Sequence, residues 1–284
     1  MTCRPLPATI SVIPLHIQYL LLISAFFPVR FKKTFFLMIT FQAVSKVYAK
    51  EIGAAAHTAL SDLSFSLEQG QTLGLIGANG AGKSTSIKLL MDFIRPSCGT
   101  IELFNGPPDA PLVRRRIGYL PEVANFPANL TVLDLLRFTA ATCGISRTVL
   151  QERGQELLTL LDLWEARKRP LRSYSKGMQQ RANFAIALIN DPELLILDEP
   201  MSGLDPMGRK KIIDLISRLK TEGKSILFCS HILEDVDRLV DRVLLLHKGQ
   251  RLFFGAPAEL VSQEGKQTLA EAFVSRVKQE EHHG

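Results

Sequence analysis

The chain is short of cysteine, of basic surface and of long apolar runs, and each shortage excludes something. Four cysteines, Cys3, Cys98, Cys143 and Cys229, are scattered over 284 residues with no CxxC pair. That spacing supports neither a disulfide framework nor a zinc site, and it fits a reducing cytosol. A net charge of +6 hints at nucleic acid or membrane until its placement is read. Residues 1–37 hold Arg4, Arg30, Lys32 and Lys33 and no acid, leaving thirty basic against twenty-eight acidic residues elsewhere. A basic stripe for nucleic acid is not supported; a solvated mixed surface fits better. The apolar core Tyr19 to Phe27, with Ser24 as its one polar residue, falls well short of the roughly 20 residues of a membrane-spanning helix. What remains is ordinary for a globular protein of one large or two modest domains: 46% hydrophobic and 22% charged residues.

Against that plain background one stretch stands out. Gly77-Ala78-Asn79-Gly80-Ala81-Gly82-Lys83-Ser84-Thr85 follows the apolar run Thr72–Ile76, which reads as a buried strand. It precedes Ile87, Leu90 and Met91, an apolar face at helical spacing. Strand, glycine loop, Lys-Ser and helix form the P-loop arrangement, whose backbone N–H groups turn inward on phosphates. The helix N-terminus adds partial positive charge. In this pattern Lys83 sits on the β/γ-phosphates and Ser84 holds Mg²⁺. A nucleoside triphosphate is the expected ligand.

The rest of the chain falls into zones. Residues 1–37 do not conform: Ile10 to Phe27 is apolar-rich but broken by Pro14, His16 and Gln18. A signal peptide, a membrane-surface anchor using Lys32-Lys33, and a start-site artefact with translation beginning at Met38 are the readings open there. A secreted protein would have no ATP to bind, which weighs against the first. Globular patterning runs over residues 38–260. Leu63, Phe65 and Leu67 alternate with polar residues as in a half-buried strand. Gly99–Phe104 alternates again and ends at Asn105-Gly106, a hairpin-type turn. Residues 125–190 are mostly helical, with Thr131 and Asp134 as a weak relative of the capping box. Leu194-Leu195-Ile196-Leu197 then suits a central parallel strand covered on both faces. It delivers Asp198 and Glu199 at its carboxyl end, where open α/β sheets bind ligands; helix capping is the structural alternative. Ser225–Ser230 is a further strand ending at His231, and Val243–Leu246 with Arg251–Phe254 flank Lys248-Gly249 as a hairpin. Residues 261–284 read as a polar tail with a surface helix.

Over residues 38–260 this ordered set resembles the nucleotide-binding domain of ATP-binding cassette (ABC) transporters. Tyr174-Ser175-Lys176-Gly177-Met178-Gln179-Gln180-Arg181 resembles the signature motif, Leu194–Glu199 the Walker B strand, Ser202-Gly203-Leu204-Asp205 the D-loop and His231 the switch histidine. Tyr48 stands where the family places an adenine-stacking aromatic, with an edge-strand core residue as its alternative. The Gly177-Met178 variant and the single-cassette length resemble exporters of the ABC-2 type, whose membrane half is separately encoded.

The resemblance implies a fold: an α/β P-loop NTPase with a RecA-like mixed sheet, an antiparallel β subdomain and a helical insert. It also implies an ATPase working with ATP and Mg²⁺ as a head-to-tail dimer, with a second copy or a paralogous cassette. ATP would lie between one subunit's loop, Gly77 and Asn79 through Gly80, Ala81, Gly82, Lys83, Ser84 and Thr85, and the partner's Ser175 and Gly177. Asp198 would hold Mg²⁺ with Ser84, Glu199 would orient or deprotonate the attacking water, and His231 would sense the γ-phosphate. Asp205 would act across the dimer interface. Glu122 departs from the family, which usually has glutamine after this Leu-Pro stretch. A carboxylate still accepts from water or ligates Mg²⁺, but it does not donate as an amide does; the expectation is that it keeps the metal contact and the coupling to the membrane partner. That partner is an integral-membrane permease docking on the helical insert and the Glu122 loop, which places the chain peripherally at the cytoplasmic face of the inner membrane. No nucleic acid is expected. The competing reading is a soluble, non-transport ABC-type ATPase, but such proteins usually fuse two cassettes or carry a long coiled coil. The separation of 91 positions from Lys83 to Tyr174 leaves no room for one. A small-molecule P-loop kinase would have no use for the signature.

Overall fold

The computed structural model describes residues 36–49, 56–123 and 125–283. The readings placed on residues 1–35 lie outside the described residues.

Two sheets carry the fold. In the antiparallel one, β1 (Leu37–Tyr48) lies between β2 (His57–Glu68) and β4 (Cys98–Leu103). Leu63, Phe65 and Leu67 of β2 are all buried while the serines between them are half-buried, as the alternation predicts. Phe65 stacks on Phe41 of β1 with ring centroids 4.6 Å apart. The second sheet runs β5 (Ile117–Leu120), β6 (Leu194–Asp198), β7 (Ser225–Cys229), β3 (Thr72–Ile76), β8 (Arg242–His247), all parallel, and β9 (Gln250–Gly255), antiparallel at the edge. Every residue of β3, β6 and β7 is buried. Along β6, Leu194 and Ile196 enter one core while Leu195 and Leu197 enter another, so both faces are covered. That is why the strand reads as a continuous apolar run.

Helices fill the two sides. One core takes α1 (Lys83–Leu90) and the antiparallel sheet. After α2 (Pro111–Arg114), the other takes α3 (Val132–Cys143), α4 (Arg147–Leu160), α5 (Lys176–Leu188), α6 (Pro206–Thr221) and α7 (Leu233–Leu239). The weak capping signal at Thr131 is a full reciprocal box. Asp134 N donates to Thr131 Oγ1 at 3.2 Å and Thr131 N to Asp134 Oδ2 at 3.0 Å. A cap of this kind contributes about 1 kcal/mol and fixes where the insert begins. Lys248 and Gly249, both at positive φ, close the β8–β9 hairpin. The hairpin-type turn at Asn105-Gly106 forms too: Leu103 and Gly106 exchange backbone hydrogen bonds of 2.7 and 2.9 Å across Phe104 and Asn105, both at positive φ, and the pairing stops at that one bridge before the chain runs on to α2. The chain ends in α8 (Pro257–Gln263) and α9 (Leu269–His283), and Leu269 and Ala272 of α9 are buried in the larger core. Among the described residues no helix is long and apolar enough to cross a membrane.

Candidate functional site

The loop between β3 and α1 is shaped by two glycines. A Cβ on Gly77 would lie 2.4 Å from the carbonyl oxygen of Leu246 at the end of β8. Gly82 caps α1 at φ 109°, and a Cβ there would lie 2.6 Å from Leu60 Cδ2 of β2. Only a residue without a side chain passes at either point. Ser86 N and Oγ both donate to Gly82 O, at 2.9 and 3.0 Å, which seats the first helical turn. Lys83 Nζ reaches back to Gly77 O at 2.7 Å and Ala78 O at 3.2 Å. Residues 79–85 line a cavity of about 210 Å³ together with Tyr48, His57 and Ala59. Tyr48 ends β1, pairs across the sheet with His57 and is 37% exposed, so its ring is open on one side. Lys46 Nζ lies 5.5 Å from that ring.

The acids converge from separate strands. Asp198 closes β6 beside Cys229 of β7, whose thiol bonds it. Burial pushes the Asp198 carboxyl up to about 6; Glu122 and Glu199 add to the rise, and the Cys229 thiol and Lys83 oppose it. Burial also pushes the Cys229 thiol up. Glu199 takes φ 47°, a left-handed conformation worth about 1–3 kcal/mol of strain in a non-glycine residue. Its N–H donates to Cys229 O at 2.9 Å, and its Oε2 lies 2.8 Å from His231 Nδ1. Glu122 is exposed on the turn after β5. Lys83, Glu122, Asp198, Glu199 and His231 thus form one electrostatic neighbourhood at the carboxyl edge of the parallel sheet.

Ser175, Gly177 and Asp205 lie elsewhere. Ser175 caps α5, its Oγ accepting from Met178 N at 3.2 Å. Asp205 caps α6, its Oδ1 accepting from Gly208 N at 2.8 Å. The two caps share a second cavity of about 460 Å³ that has no residue in common with the first. Asp162 stands in it, bonded by Arg181 Nη1 at 3.2 Å and by Lys211 Nζ.

The placement of three neighbours of the site was not read from the sequence. His57 stands beside Tyr48 in the first cavity. Gln180 Nε2 donates to Pro200 O at 2.9 Å and Asn183 Nδ2 to Pro121 O at 3.1 Å, so α5 grips the turns next to Glu199 and Glu122. Both amides are buried. The available signal was a pair of polar residues three apart inside an apolar helical stripe.

The family profile described as "ABC transporter" matches residues 60–202. An uncharacterized ABC transporter ATP-binding protein of Synechocystis sp. is 44% identical over 210 residues, 72% of this chain and 58% of that protein. A Nod factor export ATP-binding protein I of Cupriavidus metallidurans is 36% identical over 210 residues, 73% of this chain and 69% of that protein. The chain thus spans less than two thirds of the Synechocystis relative's length. Among solved structures, an ATP-binding subunit of an ABC transporter superposes with TM-score 0.77 at 31% identity, covering 84% of this chain and 99% of that one. The bacterial ABC transporter cassette MJ0796, solved as a dimer, gives TM-score 0.70 at 26% identity, covering 77% and 98%.

Proposed function

We propose that this chain, which belongs to the ABC transporter family of ATP-binding proteins, is the ATP-hydrolysing subunit that powers a separately encoded membrane permease, an exporter. Residues 38–260 form the ATPase domain in this reading. The observation that carries it is the division of the nucleotide residues between two cavities with no shared member. Neither cavity holds a complete ATP site, and a second copy placed head to tail joins the two.

The loop of one copy binds the triphosphate through residues 77–85. Lys83 exchanges its bonds to Gly77 O and Ala78 O for the β/γ-phosphates, while Tyr48 stacks on adenine. Ser84, Asp198 and Glu122 supply only hard oxygen donors, the chemistry that Mg²⁺ takes. Among the described residues no group of three or more His, Cys, Asp or Glu side chains could hold a metal alone. That suits Mg²⁺, which keeps waters and leans on substrate phosphates. Asp198, buried beside two other acids, is the group with most to gain from a cation. Bound Mg²⁺ would offset charge on the phosphate oxygens. Glu199, held by His231, accepts the proton as the water oxygen attacks the γ-phosphorus and the bond to ADP breaks. His231 is exposed enough to turn from Glu199 to the γ-phosphate. From the second copy, Ser175 Oγ and the Gly177 N–H reach that phosphate at the N-terminus of α5, and Asp205 contacts the opposing subunit.

The export reading rests on relatives such as the Nod factor export protein. The docking face would be the insert over residues 125–190 and the Glu122 loop, where Val123 and Phe138 are exposed. This places the chain peripherally on the cytoplasmic side of the inner membrane. Purification from native membranes tests it: the chain should carry a polytopic membrane protein with it and hydrolyse ATP only with Mg²⁺. Recovery free of membrane protein, with full activity, would favour a non-transport ATPase.

A further inference from the structure

Two charges that the nucleotide cavities do not use stand where two functional turns enter their helices. Arg209 lies in the first turn of α6, four residues after Asp205, and its N–H donates to Asp205 O at 2.8 Å. Asp235 lies in the first turn of α7, four residues after His231. The two side chains meet in a paired geometry: Arg209 Nε donates to Asp235 Oδ2 at 3.1 Å and Nη2 to Oδ1 at 2.9 Å. The Asp235 side chain is only 6% exposed.

A plain role as glue between α6 and α7 explains this poorly. Asp235 is buried but the Arg209 side chain is 36% exposed, so solvent screens the attraction while desolvation of Asp235 offsets much of the rest. A two-point guanidinium–carboxylate contact adds orientation, because both bonds hold only at one register of the helices. Beyond Asp235 the path to the acids is short. Ile232 N donates to Ser230 Oγ at 3.1 Å, which tightens the turn that carries His231, and His231 Nδ1 lies 2.8 Å from Glu199 Oε2.

We infer that Arg209 and Asp235 are a positioning pair: they set the His231 turn against the Asp205 turn, so that contact of Asp205 with a second copy reaches the His231–Glu199 hydrogen bond. The inference rests on the proposed roles of Asp205 and Glu199. Arg209 and Asp235 touch no reacting atom; they act through α6 and α7.

The test is steady-state ATP hydrolysis by the full chain with thermal melting of each variant. Arg209→Met combined with Asp235→Leu replaces the pair by apolar side chains and leaves no orphaned charge. The expected result is a melting point close to wild type, kcat lower by about tenfold or more, and KM within about twofold, since misplacing a catalytic group costs rate rather than binding. Arg209→Lys keeps the charge and loses the fork. It should melt like wild type with kcat reduced about threefold or more, and it decides the matter if the double variant does not fold. Wild-type kcat in either folded variant would overturn the inference, because a purely structural pair predicts a change in melting alone. Glu199→Gln separates the two layers. If wild type itself fails to hydrolyse ATP, the proposed function fails. If wild type turns over, Glu199→Gln does not, and the pair variants keep full kcat, only the positioning inference falls.

Discussion

The two cavities of this protein are built in opposite ways. The one around Gly77–Thr85 hangs from β3, a strand buried along its whole length, and its glycines are pressed against the Leu246 carbonyl and the Leu60 side chain. Its shape is set by backbone packing. The cavity around Ser175 and Asp205 is made of two helix caps on the surface, each satisfied by one of its own helix's N–H groups. In the proposed function the first half binds the nucleotide and the second completes the site of another copy.

Substitutions can break or sharpen that contrast. The largest effect is expected from Glu199→Gln, which removes the proposed proton acceptor and keeps the shape of both halves. Turnover should fall about 10²- to 10⁴-fold with ATP binding retained, and the ATP-bound dimer should accumulate on a sizing column. Residual turnover near wild type would assign the acceptor to another group. Tyr48→Ala strips a stacking wall from the first half and should weaken ATP binding by about 1–3 kcal/mol in calorimetry of the monomer. An unchanged dissociation constant would leave Tyr48 no role beyond closing β1, the central strand of its sheet. Ser175→Ala acts on the second half. It should cost about 1 kcal/mol of stability through the lost cap, lower kcat, and leave the monomer's ATP affinity alone. A matching loss of monomer affinity would break the division between halves.

The smallest effect belongs to a contact outside both halves. Arg116 holds Glu193 with bonds of 2.6 and 2.7 Å between half-exposed side chains, and that hydrogen bonding lowers the Glu193 carboxyl below its usual range. Arg116→Gln should cost at most about 1 kcal/mol, since solvent screens the pair. A carboxyl lowered in the folded state stabilises at pH above the ordinary glutamate range, and that stability is lost as pH falls through the lowered value. The melting difference between wild type and variant should therefore shrink toward low pH, with turnover the same in both.

The readability of these features from sequence follows their locality. The phosphate loop is one contiguous stretch whose glycines, lysine and flanking strand and helix are neighbours in the chain. The alternation in β2 and the apolar run of β6 each encode one element's burial directly. The reciprocal box at Thr131 was visible because its partners are three residues apart. By contrast, the 2.8 Å contact of Glu199 with His231 joins residues thirty-two apart, and the bidentate contact of Arg209 with Asp235 spans twenty-six. Nothing in either neighbourhood specifies the other. The contacts of Gln180 and Asn183 were not legible because their acceptors, Pro200 O and Pro121 O, are backbone atoms of distant turns. The turn at Asn105-Gly106 was legible for the same reason as the Thr131 box, since the Leu103 and Gly106 backbones that close it are three residues apart.

The division of the site is tested most directly by turnover per subunit as the protein is diluted. The two-half arrangement predicts that ATP hydrolysis per subunit falls as the dimer dissociates, while nucleotide binding per subunit, followed in parallel, holds steady. Constant turnover down to concentrations at which sedimentation shows only monomer would contradict it.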